Sequence, residues 1–183
     1  LLGSTGSVGK SSLDVIEKNK GKYEVACLVA LSNEKSIKAQ AKRHKKAKIY
    51  IEKPRDKLSS KRFINRSDLL KLISRNDIDT VIAAISGSDG LDLIYHSILS
   101  GKKVLIANKE PLVMAGEFLV NEAKKHGAQI IPIDSEHCSI HQSIQGKKEN
   151  SVSKITLTCS GGPFYKLPKS RFKNISLKQA LKH

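Results

Sequence analysis

Leu1-Leu2-Gly3-Ser4-Thr5-Gly6-Ser7-Val8-Gly9 decides the fold of this chain. Two apolar residues run into three glycines spaced three apart, and an amphipathic stretch follows from Val8 to Asn19. That order reads as strand, tight turn, helix. Glycines let the backbone turn sharply and bring its N–H groups close to a ligand. The N-terminus of the next helix adds a partial positive charge, so the turn suits a pyrophosphate. The G-x-x-G-x-x-G spacing is a variant of the G-x-G-x-x-G dinucleotide fingerprint. A strand before such a turn normally holds four or five apolar residues, so we expect the sequence to begin partway along it.

Outward from this turn, short apolar runs alternate with amphipathic ones. Strands are expected at Val25 to Leu31, Ala47 to Ile51, Thr80 to Ile85, Lys103 to Ala107 and Gln129 to Ile133. Helices are expected at Glu34 to His44, Ser67 to Arg75 with Ser67 as N-cap, Leu91 to Ser100, and Pro111 to His126. Gly101 and Gly127 stop the last two. Thr80 to Ile85 is apolar throughout, as in a strand covered on both faces. Pro54 to Arg62 reads as a charged surface loop. The alternation predicts an α/β fold with a doubly wound, mostly parallel Rossmann-type sheet. From Ser151 the pattern changes. Val152 to Thr158 alternates like a half-exposed strand and breaks at Ser160-Gly161-Gly162-Pro163, which places a domain boundary near 150.

Bulk composition narrows the function classes. The 183 residues are 39% hydrophobic, enough for a real core. Net charge is +16, yet 27 of the basic residues are Lys and only 6 are Arg, and aromatics are 4%. Nucleic-acid readers favour Arg forks and stacking rings. A solvated Lys-rich surface therefore fits better than specific nucleic-acid binding, and a positive field also suits a phosphorylated substrate. Cys27, Cys138 and Cys159 form no paired motif, which favours a reducing compartment. No apolar run is long enough for a membrane span. A cytoplasmic, bacterial setting is expected, with a plastid one open if a leader precedes Leu1.

The second strand ends Ala30-Leu31-Ser32-Asn33 with no carboxylate at its tip. NAD sites usually place Asp or Glu there for the ribose hydroxyls. Ser32, Asn33 and Lys35 could instead accept a 2′-phosphate, which favours NADPH. Three later segments carry chemistry. In Ala107-Asn108-Lys109-Glu110, Lys109 offers a cation to a developing oxyanion and Asn108 a hydrogen bond, although a polar helix cap explains the segment as well. In Asp134-Ser135-Glu136-His137, the two carboxylates are hard oxygen ligands for Mg²⁺ or Mn²⁺. A helix cap, or a zinc pair from His137 and His141, are the alternatives. In Thr158 to Phe164, small residues expose N–H groups and the Ser160 hydroxyl as an anion nest.

Taken together, GSTGSVG at 3–9, AAISG at 83–87, ANKE at 107–110, DSEH at 134–137 and SGGPF at 160–164 resemble the 1-deoxy-D-xylulose 5-phosphate reductoisomerase family, in its N-terminal half. The resemblance implies an NADPH-dependent oxidoreductase of isoprenoid biosynthesis, acting on a sugar phosphate with Mg²⁺ or Mn²⁺, homodimeric and sensitive to fosmidomycin. It implies an NADPH-binding domain over 1–150 and the truncated start of an α+β catalytic domain over 151–183. It assigns Thr5, Gly6, Ser7 and Val8 to the pyrophosphate, and Ser32 and Asn33 to the neighbourhood of the 2′-phosphate. Asn108 and Glu110 become cofactor contacts. Lys109, Ser135, Glu136 and Ser160 become substrate contacts, with Asp134 and Glu136 as two of three metal ligands. Lys109, Asp134 and Glu136 are thereby the catalytic set.

The sequence departs from the family at Pro111, where Ser is usual, at Leu31-Ser32, where some members carry small or basic residues, and at Cys159. The fragment alone is expected to be inactive. A homoserine or semialdehyde dehydrogenase and a basic nucleic-acid-binding module are the competing identities; the first lacks paired DSEH and SGGPF motifs.

Overall fold

Leu2 is hydrogen-bonded to a strand on each side. Its N–H donates to the Ile82 carbonyl at 2.8 Å, and its carbonyl accepts from Ala84 N–H at 2.9 Å. On the other side, Val29 N–H donates to the Leu1 carbonyl and Gly3 N–H to the Val29 carbonyl, both at 3.0 Å. These bonds join two parallel sheets into one. The first contains β1 (Cys27–Ala30) and β2 (Lys48–Ile51); the second contains β3 (Thr80–Ala83), β4 (Lys103–Ile106) and β5 (Gln129–Pro132). The spatial order β2-β1-Leu2-β3-β4-β5 is that of a six-stranded Rossmann sheet. These relations come from a computed structural model that describes residues 1–55, 60–148, 151–157 and 162–180.

The helices follow the expected alternation: α1 (Ser7–Lys18), α2 (Glu34–Arg43), α3 (Arg66–Ile73), α4 (Leu91–Leu99), α5 (Glu110–His126) and α6 (Ser135–Ile144). Strand side chains point to opposite faces in turn. In β1, Cys27 and Val29 enter one apolar cluster with Leu69, Leu93, Ile98 and Leu119. Leu28 and Ala30 enter another with Leu13, Ile37 and Ala41. Two cores, one on each face, are what a doubly wound sheet requires. Each fully buried aliphatic side chain in them contributes roughly 1.5–3 kcal/mol.

Several local expectations need correction. Asn65, not Ser67, caps α3, because its side-chain oxygen accepts from Asp68 N–H at 2.9 Å. Asn outranks a residue already inside the first turn as the acceptor for orphan N–H groups. The loop near Arg62 is also more than charged surface. Its guanidinium donates to the carbonyls of Ala41, His44 and Ala47, which ties the end of α2 to the start of β2. Ile64 N–H then donates to the Ile49 carbonyl at 2.9 Å and extends the sheet edge by one short bridge. The all-apolar run Thr80 to Ile85 is buried on one face only, since Val81 and Ala83 are buried while Thr80 and Ile82 are half-buried.

The chain divides into two compact units, Leu1–Cys138 and Ser139–His183. The second carries a 3-10 helix (Lys169–Asn174) and a short helix α7 (Leu177–Ala180). Residues 152–157 are exposed and form no strand. Alternation alone cannot hold a strand, which needs a partner edge for its N–H and carbonyl groups. Thr158 lies outside the described residues. No described helix is long and apolar enough to cross a membrane.

Candidate coenzyme and metal site

All five strands are parallel, so their C-terminal ends share one edge. The chain turns to opposite sides of Leu2 at the gap between Leu2 and β3, which makes that gap the topological switch point where such sheets bind ligands. The glycine turn leaves the central position. Ala84 to Gly87 leave β3, Asn108 and Lys109 leave β4, and Asp134 to Glu136 leave β5. Ser32 and Asn33 leave β1 on the other side.

The three glycines of the turn have different reasons to be there. Gly3 has φ +79°, and an added Cβ would collide with the Ala84 carbonyl. At Gly9 an added Cβ would lie 2.7 Å from the Ser4 backbone. Both are required by the fold. Gly6 is different. It has φ −74°, and an added Cβ would meet nothing closer than the Gly3 carbonyl oxygen at 3.5 Å. The empty space above Gly6 is a cradle that a methyl group would fill. Gly6 is also the N-cap of α1 and offers no side-chain acceptor. The N–H groups of Ser7, Val8 and Gly9 therefore have no intrahelical partner and could take an anion.

A second opening for a ligand lies at Asn108. Its Nδ2 donates to the Gly87 carbonyl at 2.9 Å, which fastens the end of β4 to the loop after β3. Its Oδ1 is buried and has no partner among the described residues. A buried acceptor without a donor costs about 1–3 kcal/mol, so it awaits one from a bound group. The free cradle at Gly6 and the orphaned oxygen at Asn108 together fit a dinucleotide laid across the switch point.

The glycine turn is held from behind by a residue that the sequence pattern did not single out. Ser4 and Gln40 are both buried, and they exchange hydrogen bonds. The signal was available: Gln40 lies on the buried face of α2 with Ile37 and Ala41, where a polar residue needs a partner. At the end of β1, Asn33 caps α2 by accepting Ser36 N–H at 3.0 Å. Both carboxylate oxygens of Glu34 are engaged, Oε2 accepting from Lys38 Nζ and Oε1 from Arg55 N–H, each at 2.7 Å. Ser32 is exposed.

At the far end of the edge, Asp134 caps α6. Its Oδ2 accepts His137 N–H at 3.1 Å and contacts His137 Nδ1 at 2.6 Å. Partial burial alone would raise the Asp134 carboxyl, but these hydrogen bonds outweigh it and hold the group below its ordinary range. The Ser135 hydroxyl donates to Glu136 Oε2 at 2.8 Å, and this bond, with a backbone N–H of Glu136 itself, lowers Glu136, outweighing burial and the neighbouring Asp134 charge, to which Lys109 is a small counterweight. Both carboxylates are thus ionised at neutral pH. The helix-cap reading and the metal reading are compatible, because Asp134 Oδ1 and Glu136 Oε1 are not used in these bonds. Among the described residues no three Asp, Glu, His or Cys side chains are gathered into a metal-binding group. The donor set present fits two positions on a hard cation. His137 faces Asp134, and no described group completes a zinc site with His141.

Lys109 and Glu110 are exposed at the start of α5. Pro111 occupies the first turn of that helix, where it costs nothing. Ser160 lies outside the described residues.

Residues 1–116 match the family model for 1-deoxy-D-xylulose 5-phosphate reductoisomerase, and residues 130–183 match the one for its C-terminal domain. The chain belongs to this family. The reductoisomerase of Endomicrobium trichonymphae is 37% identical over 194 residues, covering 100% of this chain and 50% of the relative. That of Actinobacillus pleuropneumoniae serotype 5b is 40% identical over 204 residues, covering 100% and 52%. The structure of the Zymomonas mobilis reductoisomerase in complex with NADPH superposes with a TM-score of 0.78 at 32% identity, covering 100% of this chain and 50% of that one. A DOX-P reductoisomerase in complex with NADPH, fosmidomycin and magnesium gives 0.75 at 33% identity, covering 100% and 50%. The chain spans about half the length of the curated relatives it matches. Membership in the reductoisomerase family sets aside the homoserine and semialdehyde dehydrogenases.

Proposed function

We propose that the full-length polypeptide converts 1-deoxy-D-xylulose 5-phosphate to 2-C-methyl-D-erythritol 4-phosphate, with NADPH and Mg²⁺ or Mn²⁺. Residues 1–150 then form its coenzyme domain and residues 151–183 open its catalytic domain. The observation that carries this is the sheet edge itself. It places an open glycine cradle, an orphaned buried acceptor and two ionised carboxylates at the ends of Leu2, β4 and β5.

When bound, the coenzyme supplies a hydride and the cation supplies Lewis acidity toward adjacent substrate oxygens. Thr5 and Gly6 leave room for the pyrophosphate, and the N–H groups of Ser7 and Val8 face it. Asn108 Oδ1 accepts a hydrogen bond from the coenzyme while its Nδ2 stays on Gly87. Asp134 and Glu136 hold the cation, and Ser135 orients Glu136 and meets the substrate. Lys109 adds a positive charge beside Glu136, where substrate oxygens gather negative charge. Ser32 and Asn33 border the 2′-phosphate, with the Asn33 amide nitrogen left to donate. Glu110 and Ser160 complete the coenzyme and substrate contacts. Homodimeric assembly and a bacterial cytoplasmic setting accompany this function.

Asp134→Asn in the full-length protein tests it. NADPH oxidation followed with 1-deoxy-D-xylulose 5-phosphate and Mg²⁺ should slow by orders of magnitude, while the NADPH dissociation constant stays within about twofold. Near-normal turnover would refute the metal role, and no turnover by the wild type would refute the activity.

A further inference from the structure

A cavity of about 340 Å³ opens beside the ends of β1 and β2, between Leu31, Lys53, Ile85 and Leu93. It lies on the side of the switch point where the second and third strands of the sheet end, so it faces the adenosine half of a dinucleotide whose pyrophosphate rests on the glycine turn. The position that decides between a free 2′-hydroxyl and a 2′-phosphate is the tip of β1. There the chain offers Ser32 and Asn33, neither of which carries charge. Asn33 has already committed its oxygen to capping α2. Glu34, the first acid, is bound to Lys38 and to Arg55 N–H. The tip thus lacks both the carboxylate that would hold a ribose diol and a cation of its own for a phosphate.

Two basic residues line the cavity. Arg66 is occupied: its guanidinium bridges Glu52 at 3.0 Å and Asp92, and lies over the Tyr50 ring. Tyr50 also donates to Glu52 at 2.7 Å. This knot ties Glu52 and Asp92 to one guanidinium, which balances one of their two charges, and joins the end of β2 to α3 and α4. Lys53 is the next residue, and its ammonium has no hydrogen-bond or ion-pair partner among the described residues. Its backbone is nevertheless fixed, because Lys53 N–H donates to the Leu31 carbonyl at 2.7 Å and Glu52 N–H to the Ala30 carbonyl at 3.1 Å. The root of a four-carbon cationic side chain is therefore pinned directly beside Leu31-Ser32.

We infer that Lys53 is the specificity-determining cation for the 2′-phosphate, supplying from the end of β2 the charge that the tip of β1 lacks. Lysine serves as a point charge for phosphate, so it needs nearness rather than the planar fit of an arginine fork. Lys35, in the first turn of α2, is the nearest competitor by sequence, yet it does not line the cavity. Three carboxylates line the cavity, Glu52, Asp89 and Asp92, against the two cations Arg66 and Lys53, so discrimination depends on Lys53 standing nearer the 2′-phosphate than the unbalanced acids do.

This assignment rests on the coenzyme function proposed above, and one titration separates the two. Dissociation constants for NADPH and NADH are measured by nucleotide fluorescence on the full-length wild type and on Lys53→Met, Lys53→Arg and Lys35→Met, at two salt concentrations. Lys53→Met should weaken NADPH about tenfold, leave NADH within twofold and flatten the salt dependence of NADPH binding. Lys53→Arg should restore most of the discrimination, and Lys35→Met should change it less than Lys53→Met does. A wild type that binds neither nucleotide would overturn the coenzyme function itself. A wild type that prefers NADPH, together with an unchanged preference in Lys53→Met or a larger loss in Lys35→Met, would overturn the Lys53 assignment alone.

Discussion

The Ser4 hydroxyl donates to Gln40 Oε1 at 2.8 Å, and Gln40 Nε2 donates back to the Ser4 carbonyl at 2.7 Å. Both residues are buried, so the pair fixes the glycine turn to α2 where water cannot replace either bond. The turn's shape, and hence the direction of its N–H groups, depends on a residue thirty-six positions away in sequence.

Gln40→Leu should therefore cost about 2–3 kcal/mol of stability, since it strands the Ser4 hydroxyl and carbonyl. Ser4→Ala alone should cost less, and the double variant should recover part of the Gln40→Leu loss. Urea unfolding of all four proteins measures this as a double-mutant cycle. Additive losses would show that the two side chains do not act as a unit.

Gly3→Ala and Gly6→Ala should fail in different ways. At Gly3 the left-handed backbone and the Ala84 carbonyl leave no room, so the variant should lose more than about 3 kcal/mol or not fold. At Gly6 the backbone is ordinary and the space is free, so thermal unfolding should be nearly unchanged while NADPH binding collapses. Normal NADPH affinity in Gly6→Ala would mean that the cradle is not where the pyrophosphate sits.

This contrast also marks what the sequence could and could not disclose. The order of elements was legible because each strand is a short apolar run and each helix has an apolar face, so the rhythm survives in one dimension. The glycine turn between strand and helix was legible because its residues are contiguous. That the backbone leaves no room for a side chain at Gly3 and Gly9 but does at Gly6 was hidden, because Gly3 owes its identity to Ala84 and Gly9 to the folded-back Gly3-Ser4 backbone. Gln40, Gly87 and Arg62 were hidden because each acts through a partner more than ten residues distant. Residues 152–157 show the converse error, where a strand-like pattern lacks the pairing that would make it a strand.

Asn108→Leu should separate apo stability from coenzyme binding. It removes a buried acceptor that has no partner and gives up one bond to Gly87, so unfolding should shift by less than about 1 kcal/mol. NADPH should bind about tenfold more weakly, because the donor that Oδ1 would receive is then left unpaired. Equal affinity in isothermal titration would remove Asn108 from the coenzyme site.

Cys27 gives the fold a sensitivity to alkali. Burial pushes its thiol up to about 11, whereas an exposed thiol ionises near 9. Between those values the unfolded chain releases a proton that the folded chain keeps, so stability falls as pH rises through that window. Below pH 9 both states hold the proton and the effect is absent. A shift of this size corresponds to a loss of about 2–3 kcal/mol by pH 11. Cys27→Ala should abolish that part of the alkaline slope while lowering stability near pH 7 through the lost packing on β1. The same burial should keep Cys27 unreactive to iodoacetamide at pH 8 in the folded protein. Denaturant midpoints of both proteins from pH 7 to 11 provide the check, and parallel curves would mean that the thiol ionises alike in both states.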